Sequence, residues 1–211
     1  MTTTASPRIA MIGGLEHRTF ATQLSARDAG GLEFRLEGYA SLVSTPYDMG
    51  LYEEQIAPGA FSTTLSMRPD VQLLLNHEGL PLARTTISPG QVGHLALSED
   101  SRGLHFLAQL DRDDDDAQKV MRKVGAGLMD QCSFAFRTIR QTWNDDRSLR
   151  TINDVSLDRG DVSIVNYGAS PTTSVDARAL GRRGKKSNLS LYQARARARH
   201  LRIANDAGRR R

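Results

Sequence analysis

Gln131-Cys132-Ser133-Phe134-Ala135-Phe136 alternates small or polar side chains with bulky apolar ones. Side chains of a strand point to opposite faces in turn. Cys132, Phe134 and Phe136 therefore share one face of a β-strand, and Ser133 and Ala135 the other. An apolar face of this size needs a core to cover it. The opposite face, with only a hydroxyl and a methyl, leaves room beside Ser133 for a ligand. Ser133 is thus a candidate nucleophile, and a serine half-buried in a strand is the plain alternative. Cys132, on the face of the two phenylalanines, reads as a small core residue, as lone cysteines usually do.

Working outward, the strand runs on to Trp143, and Asn144-Asp145-Asp146-Arg147 turns it into a second strand, Ser148–Leu157. Asp158-Arg159-Gly160 turns again into Asp161-Val162-Ser163-Ile164-Val165, with Asp161, Ser163 and Val165 on one face. A meander of three neighbouring strands is the expectation. Upstream, Leu32–Glu37 alternates apolar and charged residues and continues to Val43. Pro58-Gly59-Ala60-Phe61 opens a short helix to about Met67. Val71–Leu75 is an apolar strand that ends in Asn76-His77-Glu78, followed by a loop around Pro81 and Pro89. Gln91–Leu97 and Gly103–Leu110 form a hairpin carrying His94 and His105.

Asp111–Asp116 holds five aspartates. Ala117, Val120, Met121, Val124 and Leu128 follow at helical spacing, with Lys119, Arg122 and Lys123 toward the far end. Acids at the start and bases at the end suit a helix dipole. A calcium loop would need spaced acids, a central glycine and a closing glutamate. The run is read as a solvated helix start, and no metal is expected. Many short strands and two helices make an α+β, mostly β chain: a small, mainly antiparallel barrel or sandwich with helices packed outside.

The net charge of +4 divides unevenly. Residues 178–211 carry twelve Lys or Arg and one acid, Asp206, leaving −7 on residues 1–177. The organisation expected is a loosely ordered leader (1–31), a domain (32–177) and a basic tail (178–211), disordered or helical. No stretch approaches the roughly 18 apolar residues of a membrane span. Met1–Ser6 does not resemble a secretory signal. A single cysteine excludes an internal disulfide framework and fits a reducing cytoplasm. The tail raises nucleic acid as a partner, but no aromatic interleaving or recognised binding motif accompanies it.

A serine nucleophile needs a base within hydrogen-bond reach and a group to orient that base. His77 sits at the mouth of a buried strand, and Asp161 opens the last strand. Ser133, His77 and Asp161 are the candidate site; whether they converge is a question of topology.

Tyr39-Ala40, Ile56-Ala57-Pro58-Gly59-Ala60-Phe61, Asn76-His77-Glu78, Arg102-Gly103-Leu104, Ser133-Phe134-Ala135-Phe136 and Asp161-Val162-Ser163-Ile164-Val165 occur in an order that resembles the prohead protease family of tailed bacteriophages. The resemblance spans about residues 32–177. It implies a serine endopeptidase without cofactor or metal, acting inside an assembling procapsid in the host cytoplasm. Its substrates would be the scaffold, or a scaffold-like segment of the major capsid protein, and the protease itself. It also implies a fold related to the herpesvirus assemblins, β-barrels ringed by helices, and by the same analogy a homodimer. His77 matches the histidine of the family's Asn-His-acid motif, and Ser133 the serine of its Ser-aromatic strand. Asp161 falls where many members have glutamate before Val-Ser. Assemblins use a second histidine as the third member, so His94 and His105 stay open as alternatives. Tyr167-Gly168-Ala169-Ser170-Pro171 departs from the family's usual Pro-Ala pair after that strand. A non-enzymatic capsid assembly or scaffold protein on the same fold is the competing reading. The Arg178–Ser187 stretch of the tail is a candidate for self-cleavage.

Overall fold

The computed structural model of the protein describes residues 12–166. In chain order the elements are β1 (Ile12–Ala21), β2 (Ser25–Asp28), β3 (Glu33–Leu42), β4 (Tyr47–Asp48), β5 (Glu53–Ile56), α1 (Ser62–Ser66), β6 (Gln72–Leu75) and β7 (Glu78–Arg84). There follow β8 (Leu95–Glu99), β9 (Gly103–Asp111), α2 (Asp115–Gly125), β10 (Gln131–Trp143), β11 (Leu149–Ser156) and β12 (Asp161–Val165). The basic tail with its Arg178–Ser187 stretch and the Tyr167–Pro171 turn lie outside the described residues. No helix among the described residues is long and apolar enough to cross a membrane.

β10 is the spine of the larger sheet. At Ser133 it is paired with Thr19 of β1 on one edge and Ser163 of β12 on the other. At Thr138 the two partners are Ile12 of β1 and Val155 of β11. Since β1 takes one edge throughout, β11 and β12 lie end to end along the opposite edge, interrupted at Leu157–Gly160. The expected meander is corrected: β12 does not pair with β11 but returns to β10. This places Asp161 and Ser163 on the strand next to Ser133.

Gly160 makes that return possible. A Cβ there would stand 2.2 Å from the carbonyl oxygen of Ala135 on β10, too close for any side chain. Because the obstacle is backbone, nothing can swing aside. Gly160→Ala is expected to cost about 1–3 kcal/mol or more, read as a lower urea midpoint at unchanged slope.

Beyond β11 and β12 the sheet forks. β5 joins β11 and β6 joins β12, both in parallel, with β4 and β7 outermost. β2-β3-β9-β8 forms a second, four-stranded sheet. Neither sheet closes, so the expected barrel is overturned while the mostly β class holds. The reason is the fork: the two branches end on β4 and β7, which do not pair with each other. The two open sheets share one core, in which Leu36, Leu104 and Phe106 of the smaller sheet join Phe134, Phe136 and Ile152 of the larger. Phe134 and Phe136 stack with ring centroids 4.7 Å apart, and Phe61 meets Phe134 edge-on. Full burial of each ring contributes about 2–3 kcal/mol.

Three local readings shift. Pro81 lies within β7, not in a loop; β7 ends the sheet path, where a residue without an N–H is tolerated. The α1 helix begins at Ser62, four residues after Pro58. Residues 12–28, expected as loose leader, form β1 and β2. The aspartate run begins a helix as expected: Asp114 caps α2, accepting from the N–H groups of Asp116 and Ala117 at 2.7 and 2.9 Å.

β1 escapes pattern reading because its inward side chains are mostly charged. Glu16, Arg18 and Phe20 lie opposite Phe136, Phe134 and Cys132, on the core side of the sheet. There Arg18 donates to Glu16 and to the fully buried Glu54 at 2.7 and 3.0 Å. Arg150 donates to the same two carboxylates at 2.9 and 2.6 Å. Thr138 donates to Glu16 and Tyr47 to Glu54. Two acids and two guanidiniums balance, as buried charges must. Burial alone would raise the Glu16 carboxyl, but hydrogen bonds from Arg150 and Thr138 and the charges of Arg150 and Arg18 lower it to about 2. This clasp ties β1 to β5, β10 and β11.

Candidate active site

The β6–β7 hairpin turns on two residues, Asn76 and His77, between the paired Leu75 and Glu78. Both have positive φ, +50° and +62°, as a tight primed turn requires. Asparagine accepts that conformation readily; for histidine it is uncommon. Neighbouring groups hold the turn. The Asn76 N–H donates to the Ile164 carbonyl, and its side-chain oxygen accepts from the Asn166 N–H, both at 3.0 Å. The His77 N–H donates to Ser163 Oγ at 3.1 Å.

So held, the His77 ring reaches across β12 to β10. Its Nε2 lies 2.8 Å from Ser133 Oγ and its Nδ1 lies 2.6 Å from Asp161 Oδ2. An ionised carboxylate can only accept. Against an ionised Asp161, the geometry suits the tautomer with the His77 proton on Nδ1, donated to that carboxylate, and a lone pair on Nε2 for the Ser133 hydroxyl. The structure thus brings together all three sequence-derived candidates. His94 and His105 stand apart: His94 Nδ1 is 2.6 Å from the Ile87 carbonyl, and His105 packs edge-on against Tyr39 in the smaller sheet. Cys132 is fully buried, and burial pushes its thiol well above the usual range.

Sequence reasoning missed three neighbours. Ser163 Oγ, besides accepting from the His77 N–H, donates to Asp161 Oδ2 at 2.6 Å, so one buried hydroxyl ties the carboxylate to the turn bearing the histidine. Its position two residues after Asp161 on the same face was the available signal. Thr19 lies opposite Ser133 on β1. His17, two residues earlier on that face, meets His77 edge-on with ring centroids 4.4 Å apart. Burial, then the adjacent His77, holds His17 below the usual histidine range. Ser133 itself has no exposed surface, contrary to the open face expected for it. Thr19 and Ser163 flank it on the neighbouring strands, His77 bonds to it, and His17, against His77, is exposed.

A serine whose hydroxyl bonds to an imidazole, itself held by a buried carboxylate, is the arrangement serine peptidases use for acyl transfer. The chain belongs to the caudovirus prohead serine protease family, whose model matches residues 21–186. Among solved structures it is similar to the bacteriophage T4 capsid assembly protease, gp21, with 13% identity, TM-score 0.47, and coverage of 72% of this chain and 96% of that one. No curated protein matches it in sequence.

Proposed function

We propose that the chain is an endopeptidase of phage capsid maturation that works within the procapsid, with Ser133 as nucleophile, His77 as general base and Asp161 as its orienting partner. The observation that carries this reading is the unbroken hydrogen-bonded line Ser133–His77–Asp161 on a chain of the prohead serine protease family. His77 Nε2 takes the Ser133 proton as Oγ attacks the scissile carbonyl carbon. The same nitrogen returns that proton to the leaving amine as the C–N bond breaks. Water, deprotonated by His77, then releases the acyl group and restores the hydroxyl. Asp161 stays ionised, compensating the imidazolium formed at each attack.

The substrates that fit are the scaffold or a scaffold-like segment of the major capsid protein, and the chain's own Arg178–Ser187 stretch. Co-expression with the cognate capsid and scaffold proteins tests this, comparing wild type with His77→Ala by intact-mass analysis. Wild type should shorten the substrates, and the variant should leave them and itself at full length. Equal cleavage by both would sink the assignment and return the chain to a non-enzymatic assembly role. Ser163→Ala should lower single-turnover cleavage up to about 10²-fold with little change in KM, because it loosens the imidazole without touching substrate. Loss confined to KM would place Ser163 in substrate binding instead.

A further inference from the structure

His17, His77 and Asp161 each present a ligand atom within 4.8 Å of the others. Two imidazoles and a carboxylate are a donor set for Zn²⁺, which keeps a fourth position for water or another oxygen. With metal–ligand bonds of about 2.0–2.2 Å, ligand atoms around a tetrahedral ion stand roughly 3.3–3.5 Å apart. Gathering the three needs movements of about 1 Å, including an opening of the 2.6 Å His77 Nδ1–Asp161 Oδ2 contact when Nδ1 ligates, and His17 is the member freest to approach. Its side chain is exposed on the outer face of β1, while the clasp on the inner face holds the strand backbone in place. The other two are already neighbours, placed by the positive-φ turn and by Ser163. The charge of −7 on residues 1–177 also favours a cation over an anion here.

We propose that His17, His77 and Asp161 form an inhibitory site for a divalent cation of the zinc type. Metal and catalysis compete for His77. Bound at Nε2, the ion takes the lone pair that receives the Ser133 proton. Bound at Nδ1, it shifts the imidazole proton from that nitrogen to Nε2, which then has no lone pair to accept the Ser133 proton. Either way Ser133 keeps its proton, and removal of the ion restores the base. His17, on β1, lies ahead of the span the family model matches, and His77 and Asp161 lie within it.

The inhibition half of this proposal rests on the catalytic reading of His77; the binding half does not. The test therefore begins on the full-length, untagged Ser133→Ala chain, which keeps all three ligands and cannot turn over. Calorimetric titration with ZnCl₂ should show about one site per chain. His17→Gln on that background should weaken it at least tenfold, and Co²⁺ used in place of Zn²⁺ should give the intense visible bands of a four-coordinate ion. Unchanged affinity after His17→Gln, or an octahedral Co²⁺ spectrum, would overturn the site. On the active chain, Zn²⁺ should stop cleavage and a chelator restore it, with the inhibitory concentration at least tenfold higher for His17→Gln relative to that variant's own uninhibited rate. Zinc that binds without inhibiting would overturn the inhibitory role. Cleavage by Ser133→Ala at the wild-type rate would instead count against the catalytic reading, leaving the titration to decide the site.

Discussion

Ser133→Ala is expected to reduce cleavage of the cognate capsid protein by on the order of 10⁶-fold, the scale seen when a serine peptidase loses its nucleophile. The size of the loss follows from the division of labour. Without Oγ there is no covalent intermediate, and the imidazole, still held by Asp161 at 2.6 Å, has no alcohol to deprotonate. Triad members act as a unit, so His77→Ala should fall to a similar level and the double variant no further. The substitution removes one hydroxyl from a buried site and leaves no charge unpaired, so the melting temperature should hold within a few degrees. Cys132→Ala is the informative contrast. It opens a small cavity under Phe20 and Ile164, its cross-strand neighbours, and should cost stability while leaving cleavage intact. If cleavage followed Cys132 and not Ser133, the nucleophile would have been assigned to the wrong face of β10.

Arg150→Met should have the largest effect on stability, about 3–5 kcal/mol, the usual cost of stripping one partner from a buried ion cluster. Glu54 has no exposed surface and Glu16 is half-buried. With Arg150 gone, both carboxylates keep their hydroxyl donors, Thr138 and Tyr47, but share Arg18 as balancing charge. For a domain of this size the loss amounts to a fall in melting temperature on the order of 10 °C. Replacing both partners, as in Arg150→Met with Glu54→Gln, should recover part of it, since no unpaired buried charge then remains at that pair. The half-exposed Arg84–Asp70 pair is a control: at 42% and 32% side-chain exposure, Arg84→Met should cost about 1 kcal/mol. Equal losses at the two arginines would show that the clasp is not the desolvated cluster its geometry implies. The pH dependence has a definite sign. Glu16 has a folded pKa of about 2, below its ordinary value, so its share of stability is complete above the unfolded pKa of about 4.3. That share fades as pH falls from there through about 2.

Of the candidate site, what was legible in the sequence is what is local to a strand or its end. The Gln131–Phe136 run separated Ser133 from Cys132 correctly because one face is wholly apolar. His77 was recognised at the end of an apolar strand, and Asp161 by its place opening β12. What stayed hidden was whatever depends on pairing between distant segments. Nothing local says that β12 returns to the edge of β10 beside β11; Gly160 permits it, but a lone glycine after Asp158-Arg159 also reads as an ordinary turn. β1 was hidden for a different reason. Periodicity assumes apolar residues face inward, and here Glu16 and Arg18 do so, solvated by Arg150 and Glu54 instead of water. Missing β1 meant missing His17, and the search for a second histidine went to His94 and His105, which stand apart from Ser133 and His77. The barrel failed on the same ground, because closure depends on whether the outermost strands meet.

The pairing of β10 also sets an order of events during biosynthesis. Ser133 is flanked by Thr19, made among the first residues of the domain, and by Ser163, made among the last. More than a hundred residues separate β1 from β10, so neither strand can pair until most of the domain has been translated. Contacts at such separation carry a large loop-closure cost and form slowly. His77 leaves the ribosome well before Ser133, and Asp161 after both. The three side chains therefore cannot line up in a nascent chain until the last strand of the domain, β12, has emerged.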